Sequence, residues 1–421
     1  MDRIVVRGGR PLHGSVTVSG AKNSVLKLMA AAILADGTSH LDNVPDIADV
    51  ATMSELLGAM GLTVHRDPAA PRSLRLERPA VIEPVAPYEL VERIRASIVV
   101  LGPLLARCGW ARVSLPGGDD FGPRPIDMHL RGLEALGAEF ELRHGYLEAR
   151  ADDLFGADIT LEFPSVGATE NILMAAVHAR GTTVLDNAAR EPEIADLCHF
   201  LNTMGAKVEG IGSARLVIHG VEPGALTASA HSVVPDRVEA ATFLAAAAIT
   251  GGEVEIGAAR PEHMDMFLRK VVEMGVKVGA TGDGLLVRGP RRLHSIDVAT
   301  LPYPGVATDY KPLLTAMLAV SDGVGIVTEN LFAGRFRYVE ELVRLGADIR
   351  TDSHHAVVRG VGRLSGAPLK AHDIRAGAAM VVAGLAAEGE TTIAGAHHVD
   401  RGYDDLVGKL QSLGADIERR S

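Results

Sequence analysis

One pattern of apolar and polar positions, roughly 70 residues long, occurs six times along the chain. In each copy a helical stretch ends in an apolar residue followed by glycine, and the next residues alternate apolar and polar like a half-buried strand. Glycine suits the position just after a helix because that position favours positive φ. The shared glycines are Gly61, Gly137, Gly205, Gly275, Gly346 and Gly414. Their near-equal spacing indicates an internal repeat.

A second, alanine-rich helix is predicted between these signatures, as in residues 27–34, 171–177 and 237–248. Such helices are apolar on nearly every side and are therefore expected to be buried. A glycine turn and a short strand follow, as in residues 181–186. Each repeat thus predicts a βαβαββ-like module.

Six modules fit an α/β protein of two domains with three modules each, with sheets outside and alanine-rich helices inside. A solenoid is the competing architecture for any repeat, but here one module already holds two helices and several strands. Residues 222–234 are predicted to connect the domains.

Composition is ordinary for a globular chain of 421 residues, with 23% charged and 47% hydrophobic positions. The first residues contain no apolar secretion signal, and the apolar run 96–106 is too short to span a bilayer. The two cysteines, Cys108 and Cys198, lack metal-ligand spacing and fit a reducing compartment. We therefore predict a cytoplasmic protein without a membrane partner.

The formal net charge of −11 argues against nonspecific nucleic-acid binding. It leaves room for an anionic substrate held by a local cluster of basic residues. Adjacent His397 and His398 have no matched third ligand, so no metal site is expected.

The segment 115–125 is rich in glycine and proline and carries Asp119, Asp120 and Arg124. Acids and a permanent cation on one loop favour a lid over an anionic substrate. The alternative is a surface turn with solvated charges.

Four other positions carry candidate chemistry, each with a simpler alternative. Lys22 lies near a predicted helix start, where amides favour an anion, although most single lysines are surface residues. Ser165 and Thr169 could hold a diphosphate or simply cap a helix. Asp309 precedes a helix and could be a cap, and Arg95 could be the exposed end of an apolar helix.

Together these motifs resemble the UDP-N-acetylglucosamine 1-carboxyvinyltransferases, which are enolpyruvyl transferases of peptidoglycan synthesis. The segments that carry the resemblance are SGAKNSVLK (19–27), RASIVVLGPLLAR (95–107), LPGGDDFGPRPIDMH (115–129), PSVGATE (164–170), NAAREPEI (187–194), ATDYK (307–311) and HVDRGY (398–403). The resemblance covers the whole chain in order. It implies a two-domain inside-out α/β barrel, with residues 1–21 plus 233–421 in one domain and 22–232 in the other.

The resemblance implies transfer of enolpyruvate from phosphoenolpyruvate to the 3-hydroxyl of UDP-N-acetylglucosamine, with release of phosphate and no cofactor. Its implied catalytic and anion-binding residues are Lys22, Arg124, Arg401, Asp309 as base and Asp119 as proton donor. Its implied substrate contacts are Asn23, Arg95, Arg124, Pro125, Asp127, Met128, His129, Ser165, Val166, Gly167, Glu191, Leu331, Phe332 and Arg375.

Asp119 stands where the resembled family often has a cysteine. A carboxylate is a far poorer nucleophile than a thiolate, so we expect insensitivity to the epoxide fosfomycin.

Two further departures concern segments that face the acceptor sugar in that family. This chain has Val306-Ala-Thr-Asp-Tyr-Lys311 instead of Phe-Pro-Thr-Asp-x-Gln, and Ala333-Gly-Arg-Phe336 instead of Glu-Asn-Arg-Phe. They leave open a related transferase acting on the 3′-hydroxyl of UMP in nikkomycin- and polyoxin-type antibiotic pathways. A non-catalytic regulatory paralogue is a third possibility, against which Lys22, Arg124, Asp309 and Arg401 argue.

Overall fold

Residues 2–115, 125–222, 224–332 and 334–420 are described by a computed structural model. They group into a first unit, residues 2–19 and 235–420, and a second unit, which holds the described residues from 20 to 234. The chain leaves the first unit after Ser19 and returns after Val234, two residues from each crossing predicted from the sequence. Asp119 and Arg124 lie outside the described residues, as does Ala333.

The elements follow the predicted repeat along the chain. The first unit begins with β1 (Arg3–Arg7) and β2 (His13–Thr17). The second unit contains α1 (Lys22–Ala31), β3 (Thr38–Asp42), α2 (Ala48–Ala59), β4 (Thr63–Arg66), β5 (Leu74–Glu77), β6 (Val85–Ala86), α3 (Tyr88–Val91), a 3₁₀ helix (Arg95–Val100), α4 (Leu101–Cys108), β7 (Trp110–Ser114), α5 (Asp127–Ala135), β8 (Glu139–Arg143), β9 (Tyr146–Arg150), β10 (Asp158–Thr160), α6 (Val166–Ala176), β11 (Thr182–Asp186), α7 (Pro192–Thr203), β12 (Lys207–Glu209), β13 (Arg215–His219) and β14 (Ala230–Ser232).

The remainder of the first unit continues the same order. It contains α8 (Arg237–Thr250), β15 (Glu253–Gly257), a 3₁₀ helix (Pro261–His263), α9 (Asp265–Glu273), β16 (Lys277–Ala280), β17 (Gly284–Arg288), β18 (Val298–Ala299), α10 (Lys311–Ala319), β19 (Val324–Thr328), α11 (Tyr338–Arg344), β20 (Asp348–Asp352), β21 (His355–Arg359), β22 (Leu364–Ser365), β23 (Pro368–Lys370), α12 (Ile374–Leu385), β24 (Ala387–Glu388), β25 (Glu390–Ala394), α13 (His397–Asp400), α14 (Leu406–Ser412) and β26 (Asp416–Arg420).

Among the described residues, six four-stranded sheets share one pairing scheme, in which one edge pair is parallel and the other two pairs are antiparallel. The sheets of the second unit have the orders β14-β3-β5-β4, β6-β7-β9-β8 and β10-β11-β13-β12. Those of the first unit have the orders β16-β17-β15-β2, β18-β19-β21-β20 and β23-β25-β1-β26. The last strand returns to the first, with Arg3 opposite Arg420. The sixfold module predicted from the sequence is confirmed.

Alanine-rich helices form the interior of each unit. In the first unit α8, α10 and α12 pack on one another and are buried along nearly their whole length. In the second unit α1, α4 and α6 occupy the same role, with the 3₁₀ helix Arg95–Val100 between them. A helix without a polar face can only be accommodated where every side is covered. The predicted inside-out arrangement of helices and sheets is therefore confirmed within each unit.

The six repeat glycines end the six outer helices, as predicted. Each is the second residue after the helix, and their φ angles lie between 89° and 109°. This left-handed conformation strains any residue with a Cβ, so the glycine is what lets the chain turn into the following strand.

The structure refines two local predictions. The predicted connection 222–234 ends where the chain returns to the first unit, and it contains a short strand, β14, that pairs in parallel with β3. The helix predicted to start at Arg95 starts there as a 3₁₀ helix, and α-helix begins at Leu101. Pro103 lacks an amide and is tolerated in the first turn of the α-helix. No helix among the described residues is long and apolar enough to cross a membrane.

Candidate functional site

Lys22 is the first residue of α1 and is partly buried in the second unit. Its Nζ lies 3.1 Å from Oδ2 of Asp49, and its side chain is 15% exposed. The preceding Ala21 offers no side-chain cap, and the first turn of α1 contains no acid. The positive end of the helix dipole is thus reinforced by an ammonium group, an arrangement that favours an anionic ligand. A freely solvated surface lysine does not describe this residue.

Near the start of α5, His129 is buried and neutral. Its Nδ1 lies 2.8 Å from the side-chain nitrogen, Nδ2, of Asn171. The Oδ1 of the same Asn171 side chain accepts a hydrogen bond of 2.8 Å from the backbone N–H of Gly102. That orientation of the amide makes Nδ1 of His129 an acceptor and leaves its proton on Nε2. Burial, and after it the charge of Arg95, lowers the pKa of His129 to about 4. At neutral pH the ring is therefore a hydrogen-bond donor without charge.

Gly167 lies directly against this imidazole. A Cβ on Gly167 would lie 2.8 Å from Cε1 of His129 and 2.9 Å from its Nε2. Only glycine permits this approach, because real Cβ contacts are longer. The fold therefore places His129, from the segment implied to bind uridine, against Gly167, from the segment implied to bind the diphosphate.

Ser165 is the N-cap of α6, and its Oγ accepts a hydrogen bond of 3.3 Å from the backbone of Ala168. The capping alternative raised by the sequence is therefore present, while the hydroxyl proton remains available to donate. Val166 and Gly167, the first two residues of α6, are partly exposed beside it.

The diphosphate role considered for Thr169 is wrong. Its side chain is fully buried and its Oγ1 accepts a hydrogen bond of 3.0 Å from Ala189. Thr169 instead fixes the turn that leads to Glu191, the N-cap of α7.

The other implied contacts of the second unit lie at or near element starts and are partly or fully exposed. Asn23 follows Lys22, Arg95 opens the 3₁₀ helix, and Pro125 precedes α5, which begins with Asp127 and Met128.

In the first unit Asp309 is held by two buried guanidinium groups. Its Oδ1 lies 3.0 Å from Nη1 of Arg335, and its Oδ2 accepts a hydrogen bond of 3.1 Å from Nε of Arg375. Both arginine side chains are 5% exposed, whereas that of Asp309 is 23% exposed. The carboxylate is not the cap of α10, since Tyr310 holds that position. Two cations orient the carboxylate while it keeps access to solvent, so a bound hydroxyl can reach it.

Arg375 is itself fixed from both sides. Asp373 caps α12 by accepting 2.8 Å hydrogen bonds from the backbone of Arg375 and of Ala376. The guanidinium carbon lies 5.5 Å from the ring centre of Tyr403. Arg401, at the end of α13, is partly buried two residues before Tyr403, so the 398–403 motif lies close to Arg375.

Leu331 and Phe332 follow β19 and are partly exposed. Their backbone amides donate hydrogen bonds of 2.7 and 3.2 Å to Oε1 of Glu329. A turn held through its own amides presents its side chains in a defined position.

Sequence reasoning missed three residues that shape these groups. Arg335 belongs to the Gly-Arg-Phe segment, which was noted only as a departure, yet it pairs with Asp309. Asn171 and Glu329 support His129 and Leu331. A polar side chain inside an otherwise apolar buried helix was the available signal for Asn171.

A buried ion pair joins two of the resemblance motifs, and its lysine also donates a hydrogen bond to the backbone carbonyl of Asn23. Nζ of Lys27 lies 3.3 Å from Oε1 of Glu170, and burial raises the pKa of Glu170 to about 7 against the attraction of Lys27. Within the described ranges, no three His, Cys, Asp or Glu side chains converge as they would around a metal.

The fold described here places the chain in the structural class of enolpyruvyl transferases. The crystal structure of the enolpyruvyl transferase NikO from Streptomyces tendae matches it with a TM-score of 0.90 at 28% identity, over 99% of this chain and 98% of that one. EPSP synthase from Acinetobacter baumannii matches with a TM-score of 0.77 at 19% identity, over the full length of both chains. The second likeness supports the fold alone.

Sequence similarity defines the family. Residues 6–410 match the family of EPSP synthase (3-phosphoshikimate 1-carboxyvinyltransferase). A curated UDP-N-acetylglucosamine 1-carboxyvinyltransferase of Nocardia farcinica is 51% identical over 421 residues, which cover 99% of this chain and 98% of that protein. One of the same name from Myxococcus xanthus is 49% identical over 419 residues, which cover 100% and 99%. The chain belongs to the EPSP synthase family of carboxyvinyl (enolpyruvyl) transferases.

Proposed function

We propose that this enolpyruvyl transferase moves the enolpyruvyl group of phosphoenolpyruvate to the 3-hydroxyl of UDP-N-acetylglucosamine and releases phosphate. Identity of about one half along nearly the whole chain to proteins of that name supports this acceptor. The reaction would be the first committed step of peptidoglycan synthesis.

The observation that carries the proposal is the carboxylate of Asp309 between Arg335 and Arg375. Asp309 takes the proton of the sugar hydroxyl while that oxygen forms a bond to C2 of phosphoenolpyruvate. C3 gains a proton in the same addition, and we assign this donation to Asp119. A C3 proton then passes back to the Asp119 carboxylate while the bond between C2 and the phosphate oxygen breaks and phosphate leaves.

Cationic side chains replace a cofactor in this proposal. Lys22, Arg124 and Arg401 neutralise the phosphate and carboxylate of phosphoenolpyruvate, and Arg375 orients the base. Neutral donors, His129 through Nε2 and Ser165 through its hydroxyl, face the uridine diphosphate with Gly167. Leu331 and Phe332 contact the acceptor sugar.

Phosphate release from phosphoenolpyruvate tests the acceptor, with UDP-N-acetylglucosamine and UMP supplied side by side. We expect turnover with UDP-N-acetylglucosamine. Turnover of UMP alone would contradict the proposal and favour the second candidate, to which the NikO likeness and the altered 306–311 and 333–336 segments point. Turnover of neither acceptor would favour a non-catalytic paralogue.

The role of Asp119 has its own test. Preincubation with fosfomycin should produce no time-dependent inactivation, whereas the Asp119→Cys variant should be inactivated progressively. Progressive inactivation of the unaltered enzyme would contradict the assignment.

A further inference from the structure

A fully buried ion pair lies beneath the Asp309 region of the first unit. Nζ of Lys311, the first residue of α10, lies 2.8 Å from Oε2 of Glu329, and neither side chain is exposed. Burying two charges costs several kcal/mol of desolvation, so such a pair is weak evidence for stability by itself. The role of the Lys311–Glu329 pair follows from the groups to which it is hydrogen-bonded.

The carboxylate of Glu329 collects hydrogen bonds from both candidate segments. Its Oε1 accepts from the amides of Leu331 and Phe332 and, at 2.7 Å, from the hydroxyl of Thr300. Its Oε2 accepts a 2.7 Å hydrogen bond from the hydroxyl of Thr308, the residue before Asp309. One anion therefore ties the turn at residues 331–332 to the segment that carries the proposed base.

Lys311 closes the same network from the other side. Its ammonium group also donates a hydrogen bond to the backbone carbonyl of Arg335 and lies 4.0 Å from the ring centre of Phe336. Nη1 of Arg335 donates a 2.9 Å hydrogen bond to the hydroxyl of Thr308 and contacts Asp309. The network around Lys311 and Glu329 thus holds both the carboxylate of Asp309 and the turn at residues 331–332 in place.

We propose that Lys311 and Glu329 are a positioning pair that sets Asp309 and the turn at residues 331–332 relative to each other, and so controls affinity for the acceptor more than for phosphoenolpyruvate. The inference rests on the proposed function, in which Asp309, Leu331 and Phe332 serve the acceptor. The resembled family usually has glutamine at the position of Lys311. This chain therefore has a cation at a position where that family has a neutral amide side chain.

The charge on Lys311 makes the network sensitive to alkaline pH. Burial, opposed by the attraction of Glu329, lowers the pKa of Lys311 to about 8. Arg335 adds to the lowering and Asp373 opposes it, while the ring of Tyr338 lies 5.7 Å from the ammonium group. Burial raises the pKa of Tyr338, so that phenol stays neutral here. Above about pH 8 Lys311 loses its proton, and Glu329 remains as a buried anion without its ammonium partner.

The test is steady-state phosphate release, with KM measured separately for phosphoenolpyruvate and UDP-N-acetylglucosamine. Wild-type turnover, measured first, tests the proposed function alone. In Lys311→Met, which removes the donor at similar length, we expect the acceptor KM to rise about tenfold or more while the other KM changes less than about threefold. Lys311→Gln keeps a donor but loses the charge, so its acceptor KM should lie between those of Lys311→Met and the wild type, near the value that the wild type reaches above pH 8.

Thr315→Val is the matched control because it alters the same helix without touching Glu329. The Thr315 hydroxyl bonds the carbonyl of Lys311 and the hydroxyl of Tyr338. Its loss should lower Tm yet leave the acceptor KM within about twofold. Proportional rises of both KM values in Lys311→Met, or an unchanged acceptor KM, would overturn the proposal.

A pH series keeps the proposal testable even if Lys311→Met does not fold. The acceptor KM of the wild type should rise from about pH 8 upward, and that of Lys311→Gln should stay level through the same range. Identical profiles for the two proteins would refute the positioning role of the charged pair.

Discussion

The candidate residues form two groups, which differ in how the fold holds their polar side chains. The helix-start group of the second unit (Lys22, His129, Ser165 and Gly167) lies at or near the beginning of helices. The Asp309 cluster of the first unit (Asp309, Arg335, Arg375 and Thr308) is instead a network of ion pairs and hydrogen bonds. The side chains of Arg335 and Arg375 are 5% exposed, against 15% for the side chain of Lys22.

The difference teaches how each group is suited to its proposed task. Backbone amides and partly exposed side chains at helix starts can bind and release an anionic ligand at small cost. A carboxylate held by two buried guanidinium groups is already oriented before substrate arrives, as proton transfer requires. We therefore associate the helix-start group with binding and the Asp309 cluster with chemistry.

The largest expected effect comes from Asp309→Asn. Without a base, the rate of phosphate release should fall by about a hundredfold to ten-thousandfold, with a smaller change in either KM. Asp348→Asn removes an exposed carboxylate 3.8 Å from Arg359 in the same unit and should change the rate less than about twofold. The Asp309→Asn enzyme must be shown to be folded by circular dichroism. If it then retains a third of the wild-type rate, the assignment of proton transfer to the Asp309 cluster is contradicted.

Gly167→Ala tests the helix-start group. The new Cβ would overlap the ring of His129, so the imidazole or the start of α6 must move, at a cost of about 1–3 kcal/mol in the free energy of unfolding. The acceptor KM should rise about tenfold, while kcat changes less than threefold. In Gly58→Ala the added methyl group meets open space on a helix, and stability should rise by up to about 1 kcal/mol. A fall in kcat alone would contradict the division of roles.

The last expected effect concerns acid stability. Because His129 has a folded pKa of about 4 and the unfolded ring binds a proton near 6.5, the unfolded state takes up more protons between these values. Stability should therefore fall as pH decreases from 6.5 to 4, by about 2–3 kcal/mol at pH 4.5 from this residue. Urea unfolding at pH 7 and pH 4.5 should show a smaller loss in His129→Asn than in wild type.

His219→Asn provides the control for that measurement, since the His219 side chain is 41% exposed. Its acid-induced loss should equal that of the wild type. If His129→Asn lost as much stability between pH 7 and pH 4.5 as the wild type, protonation of the buried His129 ring would not contribute to the loss.

Prediction from the sequence succeeded where chemistry and structure are local. Lys22 begins a helix, Ser165 caps one and Asp309 stands just before one, all as their flanking residues indicated. It failed where a partner lies far along the chain. Nothing near Asp309 in the sequence indicates that Arg375 is its partner. The fully buried position of Thr169 likewise depends on its contact with Ala189.

The sequence by itself determined the sixfold module, the six turning glycines and the burial of the alanine-rich helices. These features follow from periodicity and from the backbone freedom of glycine, which act within a few residues. Only the tertiary structure decided that Arg335 and Arg375 form ion pairs with Asp309. It also decided that Asn171 sets the tautomer of His129 and that Lys311 pairs with Glu329. Such pairs form when separate elements pack together, and no local pattern records which distant partner satisfies a buried charge.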